Sequence, residues 1–254
     1  MLKLVLTVGI FVLTGENFVR GQRGEFYYIK PCHKHDPNVN KCLQKAANYL
    51  LAHLRRGIPE LNLTPPEPIT IDEIGLALGS GPDGYRATFR DIKAYGISNL
   101  TITAVRSDIP TCQFQLSFAV PKISARAQFE SSGILILVPA SGGGDYWGEY
   151  GGARAKVYVK CVPVQKHGRT YLKLEQMKFD FSVKDIKMGV ENVHNSNSII
   201  QAALNLFINT NAHDIVKEMK PDLIKKLLML ISNFVQGLFD NIPYDQWIIG
   251  DDYN

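Results

Sequence analysis

Apolar side chains recur along this chain with two different periods. Over residues 38–56 they recur every three to four residues, the spacing of an amphipathic helix, which Gly57 and Pro59 end. From about Ile69 to Glu191 the period is two, so each segment has one polar and one apolar face. That alternation is typical of antiparallel strands that cover a core on one side. The middle of the chain therefore predicts an antiparallel sheet.

The helical period returns towards the C-terminus. Residues 196–219 and 221–240 carry a wide apolar stripe, and Pro221 is placed to begin the second of two helices because proline fits a first turn. The width of the stripe predicts that these helices are buried along much of their length. The chain thus predicts an α+β fold in which a long C-terminal helical stretch faces an antiparallel sheet.

Two glycine-rich stretches fall within the strand region. Residues 79–84, GSGPDG, match the dinucleotide pattern G-x-G-x-x-G, which requires a helix directly after it. Residues 85–90 alternate instead, so GSGPDG predicts a hairpin turn and no nucleotide site. Residues 141–152, SGGGDYWGEYGG, also lie between alternating segments and predict a connection between strands. Trp147 within it either lines the mouth of an internal space or caps the end of a core.

The N-terminus predicts a targeting segment. A short positive start is followed by an apolar run of ten residues at 4–13, well short of the roughly 20 needed to span a bilayer. Residues 1–21 therefore predict a secretory signal peptide and residues 22–254 a single domain. No later segment is apolar enough to cross a membrane, so we expect a secreted, extracellular protein without stable membrane insertion.

Four cysteines fit that compartment, because an oxidising environment favours disulfides. Three pairings are possible. The short loop between Cys32 and Cys42 favours that pair, which leaves Cys112 and Cys161 as a second pair on weaker grounds. A zinc site that adds the nearby histidines to Cys32 and Cys42 is the less favoured alternative, and we predict no metal.

The glycosylation acceptors, the net charge and the absence of catalytic motifs limit the classes of function that the sequence predicts. Asn99 begins an N-x-T glycosylation acceptor, whereas the acceptor at Asn62 is followed by a proline that makes it a poor one. The net charge is +4, and the longest basic runs are single pairs of residues, which disfavours nucleic-acid binding. The sequence contains no G-x-S-x-G, H-E-x-x-H or C-x-x-C motif. It therefore predicts neither an enzyme nor a cofactor.

Several segments together resemble one family. Residues 31–68 contain C, D-P-N, C, an amphipathic helix and GIPEL; residues 86–108 read RATFRDIKAYGISNLTITAVRSD, with a break at YG. They are followed by GGDYWGEYGGARAKVYVK, LKLEQMKFDFSVKDIKMGVEN and the C-terminal FDNIPYDQWI. In this order, over about residues 28–248, the chain resembles the takeout and juvenile-hormone-binding proteins of insects.

The resemblance implies a tubular lipid-binding fold of the α/β-wrap type, in which a highly curved antiparallel sheet wraps a long C-terminal helix around a hydrophobic tunnel. It also implies a carrier of a small hydrophobic ligand such as a terpenoid hormone or fatty acid, with a link to circadian, feeding or chemosensory physiology. The Cys32–Cys42 disulfide agrees with the family pattern, whereas Cys112 and Cys161 depart from it. A protein-binding module with a solid core and, less favoured, a lipid-active hydrolase remain alternatives. We expect a monomer.

The apolar faces of the predicted strands and helices supply candidates for the tunnel wall. The alternative is that each of these side chains packs in a closed core. The candidate ligand-binding residues are Phe114, Leu116, Phe118, Leu135, Leu137, Trp147, Phe179, Phe181, Leu204, Phe207 and Ile208.

Overall fold

A computed structural model describes residues 26–61, 63–79, 84–135, 138–139, 141–194 and 198–250. The predicted signal peptide, Asn62 and Leu137 lie outside the described residues. The strands are β1 (Cys32–His33), β2 (Ile69–Leu78), β3 (Tyr85–Tyr95), β4 (Thr101–Asp108), β5 (Gln113–Ser132), β6 (Ile134–Leu135), β7 (Val138–Pro139), β8 (Gly142–Lys166), β9 (Arg169–Ser182), β10 (Asp185–Glu191) and β11 (Ile248–Ile249). The helices are α1 (Val39–Leu54), α2 (Ser198–Thr210) and α3 (Ala212–Asn241).

The main sheet is built on two long antiparallel strands. β5 and β8 pair along nearly all of β5, and each then has two outer neighbours, β4 and β3 on β5, and β9 and β10 on β8. β2 pairs with β3 and forms the far edge. α3 contacts β2 at one edge and both β9 and β10 at the other. One helix can touch both edges only if the sheet curls around it, so the predicted fold class is confirmed.

The set of residues that face inward shifts by one position part-way along the two long strands. In β5 the inward residues have even numbers up to the buried Val120 and odd numbers from the buried Ala125 onward. The change occurs at Pro121, opposite Gly152 of β8, whose φ is +59°. Because a one-residue shift moves every side chain to the other face of a strand, this bend keeps apolar side chains inward while the sheet coils. It also explains why one strand reads as two in the sequence.

The stretch predicted to connect strands, residues 141–152, is instead the first half of β8. Its glycines are needed for space within the sheet. A Cβ on Gly148 would lie 2.7 Å from the hydroxyl oxygens of both Tyr146 and Tyr150, so a side chain there would displace two aromatic rings. The prediction that this stretch connects two strands is therefore wrong.

The first glycine stretch agrees with its interpretation as a hairpin. β2 and β3 pair up to Leu78 and Tyr85, and the residues between, 80–83, are outside the described part of the chain. A strand follows Gly84 where a nucleotide site would need a helix. The hairpin prediction is confirmed at its two flanking strands.

The helical prediction is confirmed except for the position of one break. α2 ends at Thr210, eleven residues before Pro221. The next residue, Asn211, donates from its backbone N and its side-chain Nδ2 to the carbonyl of Phe207, at 3.0 and 2.9 Å. Pro221 lies inside α3. Proline removes one helical hydrogen bond, and the carbonyl left without that bond belongs to the exposed Lys217, where water can satisfy it.

Two asparagines fix helices to strands. Asn205 of α2 accepts from Val190 N at 2.7 Å and donates to Val190 O at 2.9 Å. Asn48 of α1 does the same to Ile102 of β4, at 2.9 Å for both bonds. A side-chain amide has an NH₂ donor group beside a carbonyl acceptor, so it can bond both the C=O and the N–H of one strand residue, as a neighbouring strand would. We call these two contacts the amide clamps.

The cysteines follow only one of the two predicted pairings. Cys32 and Cys42 form a disulfide that joins β1 to α1. Cys112, in the turn before β5, and Cys161 of β8 are free, buried thiols on hydrogen-bonded neighbouring segments, so the Cys112–Cys161 bond is not formed. Burial raises the pKa of Cys112 and raises that of Cys161 to about 12. The thiolate that disulfide formation requires is therefore scarce at this position.

This burial predicts the reactivity of the thiols. In the folded protein, neither thiol should react with Ellman's reagent within minutes at about pH 8. After unfolding in guanidinium without reductant, two thiols per chain should react. If the unfolded, unreduced protein showed none, Cys112 and Cys161 would be bonded to each other. Rapid reaction of the folded protein would contradict their burial.

Candidate functional site

The first of two apolar clusters beneath the sheet encloses a cavity. It lies between the inner face of β2, β3, β5, β8 and β10 and the facing sides of α2 and α3. The free volume is about 20 Å³, room for roughly one water-sized sphere. The lining residues are Leu76, Leu78, Tyr85, Phe89, Phe129, Tyr146, Met188, Val190, Phe207, Ile208, Ile215 and Met219.

The polar side-chain atoms of this lining are two tyrosine hydroxyls. Tyr146 shares a short hydrogen bond with the hydroxyl of Tyr150 and lies 3.4 Å from Met188 Sδ. Burial raises the pKa of Tyr146 well above its usual value, and raises those of Tyr150 and Tyr85. All three hydroxyls are therefore neutral at physiological pH. The wall can offer a hydrogen bond but carries no charge.

A second apolar cluster continues past the bend in β5 and β8. Its buried centre includes Val157, Val159 and Leu172, and Phe239 of α3 packs against it. The inward side chains of β5 and β9 at this point, among them Phe114 and Phe179, remain half-buried. The curved sheet therefore presents apolar side chains to α3 in two successive compartments.

The predicted ligand-binding residues divide between these compartments. Phe207 and Ile208 line the cavity, and Leu204 is buried beside it. Phe114, Leu116, Phe118 and Phe179 pack on the second cluster, and Phe181 stacks on Phe179 with ring centroids 5.8 Å apart. Leu135 lies in β6, paired with Val138 and apart from the main sheet. The binding role of all these residues remains a prediction.

Trp147 lies on the other face of β8 from Tyr146, because successive strand residues point to opposite faces. It covers Gly189 of β10, where an added Cβ would lie 3.0 Å from the Trp147 ring. The structure therefore places Tyr146, and not its neighbour, at the cavity. Sequence reasoning also missed Phe89, Phe129 and Met188, although each belongs to an alternating segment whose face could have been followed.

The sequence as a whole matches one family model, that of the haemolymph juvenile hormone binding proteins, over residues 6–249. The chain belongs to this family. The family resemblance found in the sequence is thereby confirmed. Members of the family are named for binding, which agrees with an apolar cavity and gives no indication of catalysis.

Individual relatives of this juvenile-hormone-binding family member are distant but extend along most of it. The circadian clock-controlled protein daywake of Drosophila melanogaster is 24% identical over 228 residues, 86% of each chain. A putative beta-carotene-binding protein of Schistocerca gregaria is 20% identical over 212 residues, 82% of this chain and 83% of the relative. The crystal structure of takeout 1 of Epiphyas postvittana aligns with a TM-score of 0.75 at 16% identity, covering 87% of this chain and 100% of the other. That likeness shows the shared fold.

The described residues also bear on other kinds of site. None of the helices within them is both long enough and apolar enough to span a bilayer. Across the same residues, His, Cys, Asp and Glu do not gather in groups of three or more that could hold a metal ion.

Proposed function

We propose that this protein is a secreted carrier that holds one small hydrophobic molecule between its curved sheet and the helices α2 and α3. The observation that carries the proposal is the cavity, whose walls come from five strands and two helices and are apolar apart from neutral hydroxyls. A buried, mostly apolar space with one or two polar groups is the usual character of a small-molecule site.

Ligand entry must move part of the wall, because about 20 Å³ holds no molecule larger than water. The proposed moving element is α2. It covers the cavity with Phe207 and Ile208, and it is held to β10 by polar contacts at its amide clamp and by the longer Asn209 Oδ1 contact to Met188 N at 3.4 Å. Such contacts can exchange for water when a ligand enters, whereas the sheet side of the wall is part of a continuous ladder.

The chemistry of the wall favours a neutral ligand. An ionised carboxylate transferred into this space would find no cation among the lining residues, and an unpaired buried charge is costly. A neutral terpenoid with one hydrogen-bonding group therefore fits better than an ionised fatty acid. The names of the family and of the beta-carotene-binding relative support this class.

The physiological setting is part of the proposal. We also propose cleavage after residue 21, secretion as a single-domain monomer and glycosylation at the exposed Asn99. The apolar run at residues 4–13 and the Cys32–Cys42 disulfide support secretion, and the N-x-T acceptor supports glycosylation. The daywake relative supports a role in daily rhythms. A protein-binding module and a lipid-active hydrolase are the alternatives that the following experiment addresses.

Delipidated protein should bind the fluorescent apolar probe N-phenyl-1-naphthylamine saturably. Ile208→Trp puts a large ring into the cavity and should weaken probe binding at least about tenfold, because a close-packed interior has no room for both. Ile199→Trp, on the exposed side of the same helix, is the matched control and should bind as the unchanged protein does.

Circular dichroism melts establish that each variant is folded. A folded, delipidated protein that bound neither this probe nor any of a panel of neutral terpenoids would refute the carrier proposal and favour the solid-core module. Turnover of bound lipid esters would favour the hydrolase.

A further inference from the structure

The side of α3 that faces away from the sheet carries apolar side chains where a soluble helix usually has polar ones. Met229 is 57% exposed, Phe234 39% and Leu230 38%. They form two rows at four-residue spacing, Lys225–Met229 and Lys226–Leu230–Phe234, and each row begins with a lysine. On a helix, residues four apart lie side by side along one face. We call these five residues the α3 patch.

The charged side chains within the α3 patch are both lysines. Residues 223–239 contain two lysines and no aspartate or glutamate. The acidic residue that follows, Asp240, is bound by Lys166 at 2.6 Å. Asp222, on the preceding turn, is the near acidic residue on the other side, and none of the ion pairs among the described residues joins it to Lys225 or Lys226. The patch therefore combines an apolar surface with a net positive charge.

We propose that the α3 patch docks the protein on a lipid bilayer whose headgroups are anionic. A helix that lies in a membrane interface places apolar side chains at the acyl boundary and lysines among the headgroups. In the α3 patch, Met229, Leu230 and Phe234 would enter the interface, while Lys225 and Lys226 meet the phosphate layer. The contact is peripheral and reversible, and it requires no spanning segment.

The composition of the patch favours this occupant over a second copy of the chain. A symmetric contact between two α3 patches would bury four lysine side chains without a carboxylate on either patch to pair them, and unpaired buried charges are costly. Three apolar side chains are also far fewer than the 20–30 residues per partner of a standard protein interface. An anionic bilayer supplies the negative charges that the lysines need, and it can bind through a small apolar surface.

Docking through α3 is independent of what the cavity holds, since the helix lines the cavity with Ile215 and Met219 and the patch begins more than a turn later, at Lys225. A protein with an empty cavity would still dock. A protein without this docking could still carry a ligand in solution.

The test is co-sedimentation with vesicles of phosphatidylcholine containing about 30% phosphatidylserine, compared with phosphatidylcholine alone. The protein is expressed from the full chain, collected from the medium of insect cells, and its N-terminus is identified by mass spectrometry so that every variant begins at the same residue. We expect binding to the anionic vesicles that weakens as salt is raised, because screening acts on the lysines.

Two double variants address the two components of the patch. Lys225→Gln with Lys226→Gln should weaken binding about fivefold per lysine, and Met229→Ser with Phe234→Ser roughly tenfold. The matched controls are Lys187→Gln with Lys217→Gln, which removes two exposed lysines outside the patch, and Leu206→Ser, which removes an apolar side chain 71% exposed on α2. Both controls should bind as the unchanged protein does.

Absence of binding to the anionic vesicles would overturn the proposal, as would patch variants that bind no more weakly than the controls. A dimer in light scattering that Met229→Ser with Phe234→Ser dissociates, without vesicle binding, would assign the patch to a contact between copies instead. Since all the substituted residues are exposed or half-buried on the surface of a helix or, for Lys187, of β10, the variants are expected to fold, and their melting curves serve as the check.

Discussion

Gly96→Ala is expected to lower the free energy of unfolding by about 4 kcal/mol or more. Gly96 ends β3 with φ +98°, a conformation that an L-residue adopts only with strain, and a Cβ there would lie 2.2 Å from the carbonyl oxygen of Lys122. That oxygen belongs to the central strand β5, which cannot move without disturbing its pairing with β8. The clash therefore adds to the backbone strain.

Urea unfolding followed by circular dichroism measures this loss. Gly75→Ala on β2 is the matched control, because its Cβ would meet nothing within 4 Å and its φ is not positive; its stability should change by less than about 1 kcal/mol. Equal stability losses in the two variants would show that the close approach of Gly96 to β5 does not exist in solution.

The second large effect concerns the amide clamp of α2. Asn205→Ala leaves the N–H and C=O of the buried Val190 without their partners, and each unsatisfied buried group costs roughly 1–3 kcal/mol. We expect a loss of about 2–4 kcal/mol of stability. Because α2 covers the cavity, we also expect faster association and dissociation of a bound probe, measured by stopped-flow fluorescence.

Asn48→Ala separates the two effects. It removes the equivalent clamp between α1 and Ile102, far from the cavity lining, so it should cost stability without changing the probe kinetics. Gln44 also donates to Ile102 O, at 3.1 Å, which should make this loss somewhat smaller. If both variants altered the probe kinetics equally, α2 would not be the element that moves.

Local pattern predicted the helices and the strand faces well, because each depends on side chains close in sequence. It failed at Pro221, since the end of α2 depends on the side chain of Asn211, ten residues before the proline. A single alternating pattern also does not show that β5 continues past Pro121, where the alternation changes face. The strong curvature of the sheet came from family resemblance, since no local period encodes it.

The cavity was harder to predict because its walls are assembled by long-range pairing. Leu76 reaches it through pairing with Ala87, and Tyr146 through pairing with Val190. Trp147 was a candidate because it is an aromatic residue in a glycine-rich stretch that predicts a connection between strands, and these glycines remove the alternation that identifies the inward face. A shift of one residue then exchanges a cavity tyrosine for a residue on the opposite face.

The pairing of β1 with β11 sets an order of events during biosynthesis. Cys32 pairs with Ile248 in a parallel ladder, so the N-terminal strand finds its partner only after residue 249 has been synthesised. The bond between Cys32 and Cys42 spans ten residues and needs none of that later chain. Oxidation can thus secure the N-terminal segment to α1 before the sheet forms, and β11 then pairs with a strand that the disulfide has already fixed in place.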